Sequence, residues 1–196
     1  MNRKPSIGVT GPARGSRWLW WFTRFSLWLA RGRAVPITTA TSVDVASLDG
    51  LVIGGGDDIG AEIYKGDVTL NVKIDPARDR LELDCLAAAD RHALPVLVIC
   101  RGAQMLNVSK GGNLTQDVYS RYADLPWLRT VLPRKRVRVD SDSRLGRILG
   151  VGMLKVNALH HQAIERLGDG LKEVARDGHG IIQGIEATGP RFMIGV

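Results

Sequence analysis

The 196-residue chain predicts an α/β fold: a mainly parallel sheet with helices on both faces and a β-richer C-terminal part. Three observations predict it. Short apolar runs alternate with helical patterns through the first half, the signature of strand–helix–strand units. The apolar runs Leu51–Ile53 and Leu94–Ile99 run straight into glycine-bearing turns, as strands do where they feed loops at the C-terminal edge of a parallel sheet. After Val131 the apolar runs follow one another with little helical pattern between them.

Taken in order, Ser6–Thr10 reads as the first strand, Ser16–Ala30 as a helix, Val35–Thr38 as the second strand and Leu51–Ile53 as the third. Asp75 is placed to cap a helix over Pro76–His92, because an aspartate accepts from free first-turn amides and proline suits the first helical position. Leu94–Ile99 is a buried strand leading into a helix at Gly102–Lys110, which Gly111 and Gly112 end. Further strands are expected at Val137–Val139, Leu154–Val156, Leu171–Ala175, Ile181–Ile185 and Phe192–Val196. Alternation along the first of these puts Arg136 and Arg138 on one solvated face. The length suits a single domain, residues 1–196, with a substantial core.

Two cysteines, Cys85 and Cys100, do not make a disulfide framework, and Cys/His pairs at zinc spacing are missing. No metal and no cofactor is expected. Cys85 falls among the apolar positions of its helix and reads as a core residue. A reducing, cytoplasmic setting suits free thiols. The net charge of +7 permits acidic partners, yet no nucleic-acid-binding module accompanies it, so no specific nucleic acid is expected. The Ser16–Arg31 stretch holds four of the five tryptophans. Trp18, Trp21, Phe22, Phe25, Trp28 and Leu29 share one helical stripe, and Arg17, Arg24 and Arg31 another. The stretch is too short and too rich in arginine to span a membrane. The expectation is that the aromatic stripe packs on the sheet; a membrane-surface role stays open, and Trp20, off the stripe, marks a partner contact. Homodimer formation is left open.

The chemistry concentrates at Pro95–Gln104. A strand, a tight turn carrying a single cysteine, then a helix is the layout of a nucleophile elbow. Gly102 fits a turn in which helix and strand approach closely. Cys100 at a helix N-terminus meets amide N–H groups and the positive end of the helix dipole, which favour a thiolate. Gly54-Gly55-Gly56 ends the Leu51–Ile53 strand; it lacks the Gly-Lys-Ser/Thr ending of a phosphate loop.

Several segments then carry a resemblance. Leu48–Ile59 with its glycine run, Asp75–Glu82, Cys100–Val108 with Gly111–Asp117, and Val156–Ile164 with its histidine pair occur in the order found in the γ-glutamyl-γ-aminobutyrate hydrolase family of class I glutamine amidotransferase-like proteins. The resemblance runs from about Pro5 to Val196. It implies a flavodoxin-like fold and a γ-glutamyl amide or peptide as small-molecule substrate. It also implies attack by Cys100 through a γ-glutamyl thioester, and an oxyanion hole at the amides of Gly56 and Arg101. Substrate contacts would come from Asp58, Gln104, His160 and His161. The chain departs from the family in three places. Val98 stands where glycine usually precedes the nucleophile by two, which predicts a locally shifted or strained turn. Basic residues occupy Leu132–Val137, where relatives often carry histidine. The base and orienting acid should come from a Gln-aromatic-His-Pro-Glu segment directly after a strand like Phe192–Val196; the sequence ends at Val196, and none of His92, His160, His161 and His179 is followed by Pro-Glu. A fragment, an inactive relative and a substitute base are the three readings, the last drawing on His160 or His161 with Glu165 or Glu186. At the level of function, a γ-glutamyl hydrolase, a glutaminase subunit and a non-catalytic binder of γ-glutamyl compounds remain as alternatives.

Overall fold

The computed structural model describes residues 3–13, 17–64, 74–118, 130–160 and 162–196. Its first strand, β1 (Ser6–Thr10), is flanked by β2 (Arg33–Ile37) and β3 (Gly50–Ile53), both parallel to it. β4 (Val96–Val98) lies parallel to β3. β11 (Met193–Gly195), last in the chain, inserts beside β4 and is also parallel. From there the sheet turns antiparallel through β10 (Ile182–Ala187), β9 (Leu171–Asp177), β6 (Thr130–Val139) and β7 (Met153–Ala158). The order is β2-β1-β3-β4-β11-β10-β9-β6-β7. β5 (Asn113–Thr115) and β8 (Ala163–Arg166) form a separate antiparallel pair.

Among the described residues the α-helices are α1 (Arg17–Leu29), α2 (Pro76–Arg91), α3 (Arg101–Ser109) and α4 (Arg144–Leu149). The crossover through α1 runs from β1 outward to β2, and that through α2 runs the other way, from β3 to β4. Right-handed crossovers therefore set α1 and α2 on opposite faces. The pleat shows in the core. Val96, Val98 and Met193 pack with Met105 and Leu106 on the α2–α3 face, while Leu97 and Ile194 pack with Val137, Leu145 and Val174 on the other. Asp75 caps α2 as expected, its Oδ1 accepting from the Arg78 amide at 3.1 Å. Cys85 is buried in the core and its thiol is pushed up to about 11, chiefly by burial. Arg136 and Arg138 face solvent, alternating with buried Val137 and Val139. Among the described residues, no helix is long and apolar enough to cross a membrane.

One expectation is overturned. The aromatic stripe of α1 does not pack on the sheet: Trp18, Trp21, Phe22, Phe25, Trp28 and Leu29 are all more than half exposed. The helix instead turns Trp20, Thr23 and Leu27 inward. Trp20, read as a partner contact, is thus on the packed side. Periodicity marks a face, but it does not say which of two faces the sheet covers when both carry apolar residues.

Candidate active site

The elbow forms where the sequence placed it. Cys100 has φ 54° and ψ −111°, between β4 and α3. A non-glycine residue there stores roughly 1–3 kcal/mol of backbone strain, which the surroundings hold. The Ile99 amide donates to the Ile53 carbonyl at 3.0 Å, the Ala103 amide to the Cys100 carbonyl at 2.9 Å, and the Cys100 amide to the carbonyl of Val196. Gly102 is required by contact: a Cβ there would sit 2.4 Å from the Ile53 carbonyl oxygen. The turn after Val98 is strained at Cys100, and Val98 itself stays in the β4 ladder. It pairs in register with Gly195 of β11, and a Cβ on Gly195 would lie 3.1 Å from Val98 Cγ2. The glycine missing from β4 is supplied by the next strand.

The Gly54–Gly60 loop lies against the elbow, with the Cβ position of Gly55 3.4 Å from Cys100 Cβ and 3.9 Å from Sγ. Four charged side chains that the sequence reading did not single out hold it there. Arg78 Nη2 donates to the carbonyls of Gly54 (3.1 Å) and Gly55 (3.0 Å), and its Nε to Glu82 Oε1 at 2.8 Å. Glu82 also accepts from Thr10 Oγ1 at 2.8 Å and from the Arg101 guanidinium, which donates to Asp79 as well. Asp79 Oδ2 takes the Gly60 amide at 3.1 Å. Arg78, Asp79, Glu82 and Arg101 are 0–2% exposed. Arg101 therefore has its side chain turned away from the elbow into this cluster. Burial raises the Asp79 carboxyl above its usual range, against the pull of Gly60 and Arg101. A signal was there to read: Arg78 and Glu82 extend the helical stripe of Cys85 and Ala89 toward the N-terminus, and Asp79 extends that of Leu86.

Gln104 and His160, two of the residues expected to contact substrate, meet at Gln162. Its side chain pairs with Ile59 in both directions, accepting from the amide at 3.0 Å and donating to the carbonyl at 3.2 Å. Its carbonyl accepts from Gln104 Nε2 at 2.7 Å and from His160 Nδ1 at 2.8 Å. His160 Nε2 lies 3.3 Å from Gln183 Oε1. Burial keeps this imidazole below its usual pKa and so neutral at pH 7. Asp58 forms a bridge with Ile74 and is near enough to Cys100 to act on its thiol. His161 lies outside the described residues. Glu186 is committed elsewhere, accepting from the amides of Arg144 and Leu145 at the start of α4 and from Lys172.

The thiolate expectation needs correction. Burial pushes the Cys100 thiol above its ordinary value, and Asp58 adds to this; the Arg101 amide and guanidinium pull the other way without prevailing. The guanidinium's charge is already matched by Asp79 and Glu82. A cysteine in this state would need a general base to attack a carbonyl.

A family model described as Peptidase C26 matches residues 30–196. A glutamine amidotransferase-like protein of Lactococcus lactis subsp. lactis, YvdE, is 36% identical over 146 residues, covering 71% of this chain and 60% of that protein. The gamma-glutamyl-gamma-aminobutyrate hydrolase PuuD of Escherichia coli is 27% identical over 159 residues, covering 76% of this chain and 62% of that protein. This chain thus spans about three fifths of the length of these curated relatives. The crystal structure of a glutamine amidotransferase from Thermotoga maritima superposes with a TM-score of 0.70 at 14% identity, over all of this chain and 75% of that one. One from Methylobacillus flagellatus gives 0.63 at 17%, over 95% and 67%. These similarities establish the glutamine amidotransferase-like fold.

Proposed function

The chain belongs to the Peptidase C26 family, and on that footing we propose that it is a γ-glutamyl amide hydrolase-type domain with Cys100 as nucleophile. The observation that carries this is the positive-φ cysteine at the top of a parallel strand, beside a clamped glycine loop. In the proposed reaction, the Cys100 sulfur bonds to the γ-carbonyl carbon and the C=O π electrons move to oxygen. The oxyanion takes the amides of Gly56 and Arg101; one such donor is worth on the order of a hundred- to a thousandfold in rate. The geometry supports this role for Gly56. Its N–H points opposite to the Gly55 carbonyl across a planar trans peptide, and that carbonyl is turned to Arg78. Collapse breaks the C–N bond and expels the amine with the proton that left the thiol; water then cleaves the C–S bond of the thioester, giving glutamate and the free Cys100 thiol. Gln104, His160, His161 and Asp58 are the proposed contacts for the glutamyl end. Free thiols at Cys85 and Cys100 fit a reducing, cytoplasmic setting.

The base is the open position. The Cys100 amide donates to the Val196 carbonyl, so any residues following Val196 enter the site beside the nucleophile. The test is glutamate release from a panel of γ-glutamyl amides by three proteins: the chain, its Cys100→Ala variant, and a version carrying Gln-Phe-His-Pro-Glu after Val196. Turnover that depends on Cys100, in either the chain or the extended version, supports the reading; its absence from both in folded protein refutes it. A second reading, binding of γ-glutamyl compounds without turnover, is favoured by the raised thiol and by His160 being held by two glutamines. Calorimetry with the same amides separates the two.

A further inference from the structure

The exposed aromatic face of α1 is not used by the site. Its strand, β2, is the sheet edge, three strands from β4, or about 14 Å at ordinary strand spacing. Trp18, Trp21, Phe22, Phe25, Trp28 and Leu29 form one unbroken stripe on the outer side. From their fractional exposures and ordinary side-chain areas they leave on the order of 800 Å² open to solvent, above the largest patch usual on a monomer. Phe25 and Trp28 stack with centroids 5.9 Å apart, and the Arg24 guanidinium lies 5.2 Å from the Trp21 ring centre.

Charge separates the candidate occupants. Asp44 is the first acidic residue in the chain, and seven Lys and Arg precede it. The rest carries twenty basic and twenty acidic residues, so the whole net charge of +7 belongs to the segment that contains α1. The open area would also suit a dimer, which needs about 800 Å² per partner. A second copy seated face to face, however, brings this positive segment against itself. An anionic bilayer meets both features at once: indole and phenyl rings enter the headgroup–acyl boundary, and arginines at the same depth meet lipid phosphates. Arg24 over Trp21 already holds a guanidinium at ring level.

We propose that α1 is a surface anchor that lays its aromatic stripe on an anionic lipid bilayer, leaving the Cys100 edge of the sheet uncovered. The experiment is co-sedimentation with phosphatidylcholine vesicles, with and without phosphatidylglycerol, together with tryptophan emission in brominated lipid. The protein is expected to bind the anionic vesicles at least tenfold more tightly than the neutral ones, more weakly as salt rises, with quenching by the bromolipid. The exposed double variant Trp21→Ser/Phe25→Ser, shown folded by an unchanged thermal midpoint, is expected to lose binding, and Arg24→Glu to weaken it severalfold. The proposal is overturned by no sedimentation with anionic vesicles, by wild-type binding retained in the double variant, or by a solution dimer that the double variant dissociates, which would make the stripe a self-interface. Binding to single-stranded DNA without bromolipid quenching would also overturn it, in favour of a polyanion site.

Discussion

Glu82→Gln probes the charged cluster beneath the glycine loop with the least steric change. Wild-type Glu82 is fully buried and receives Arg78, Arg101 and Thr10. With Asp79 it balances two guanidiniums. The amide keeps the shape but leaves one buried positive charge without its counter-charge, and its NH₂ faces a donor. Breaking a buried pair in this way costs about 3–5 kcal/mol. For a domain of this size each kcal/mol moves the thermal midpoint by roughly 2–4 °C, so the variant should melt about 6–20 °C below wild type. The loss should also reach the loop, because Arg78 holds the Gly54 and Gly55 carbonyls only while Glu82 orients it. Amide exchange at Gly54–Gly56 should accelerate more than in the β9–β10 hairpin. Calorimetry with hydrogen exchange reads both. Glu173→Gln, which removes a surface pair with Arg176, is the control and should change stability by about 0.5 kcal/mol or less. A Glu82→Gln midpoint within 2 °C of wild type would refute the reasoning, since roughly 1 kcal/mol is far below a broken buried pair.

Gly102→Ala should be among the most damaging single-atom additions, because its methyl would press on the Ile53 carbonyl of the central sheet; a loss of about 1–3 kcal/mol in urea unfolding is expected, and an unchanged midpoint would show that α3 can slide. The raised Cys100 thiol predicts that alkylation by iodoacetamide climbs only above the ordinary thiol range, with Cys85 unreactive in folded protein; a rate already at its plateau at pH 7 would contradict it. His160 has a folded pKa below its unfolded value. Between the two the unfolded chain binds the extra proton, so stability should fall as pH drops from about 6.5 toward the depressed value and level off beneath it. Urea midpoints of wild type and His160→Gln across that window should converge at low pH. Asp177, held below the usual carboxylate range by Lys135 and the Ile181 and His179 amides against the cost of burial, contributes stability present above its unfolded pKa and lost below it; Asp177→Asn should flatten the acid limb.

What could be read in the sequence was what local chemistry decides. β1 and the Asp75-capped α2 come where a capping carboxylate, a proline and an apolar run put them. The elbow comes where an apolar strand meets Cys-Arg-Gly. What could not be read depends on partners distant in sequence. β5 and β8 pair across some fifty residues, and neither has enough apolar character to declare itself a strand. α4 is a six-residue helix whose cap is Ser143 but whose first amides are taken by Glu186, more than forty residues away. The burial of Arg78, Asp79 and Glu82 runs against the rule that charge is rarely buried. Their burial becomes sensible only once Arg101 arrives from another helix to complete the pairing.

That cluster also explains why the elbow can be well formed while its cysteine stays protonated. The Arg101 guanidinium that would favour a thiolate is paired with Asp79 and Glu82, and the Arg78 guanidinium is spent on Glu82 and on holding the glycine loop. Positioning and activation are therefore separate tasks here. α2 and α3 fix where the sulfur and the loop sit, and a base must supply the second task from elsewhere. Because the Val196 carbonyl, just after β11, accepts from the Cys100 amide, a base carried on residues beyond it would enter beside the proposed nucleophile. This makes the extended chain the sharper test: if its Cys100-dependent turnover rises while its elbow and loop exchange as slowly as before, the site was already positioned and lacked only the base. If the loop becomes ordered only on extension, positioning and activation are one task, and the separation argued from the cluster fails.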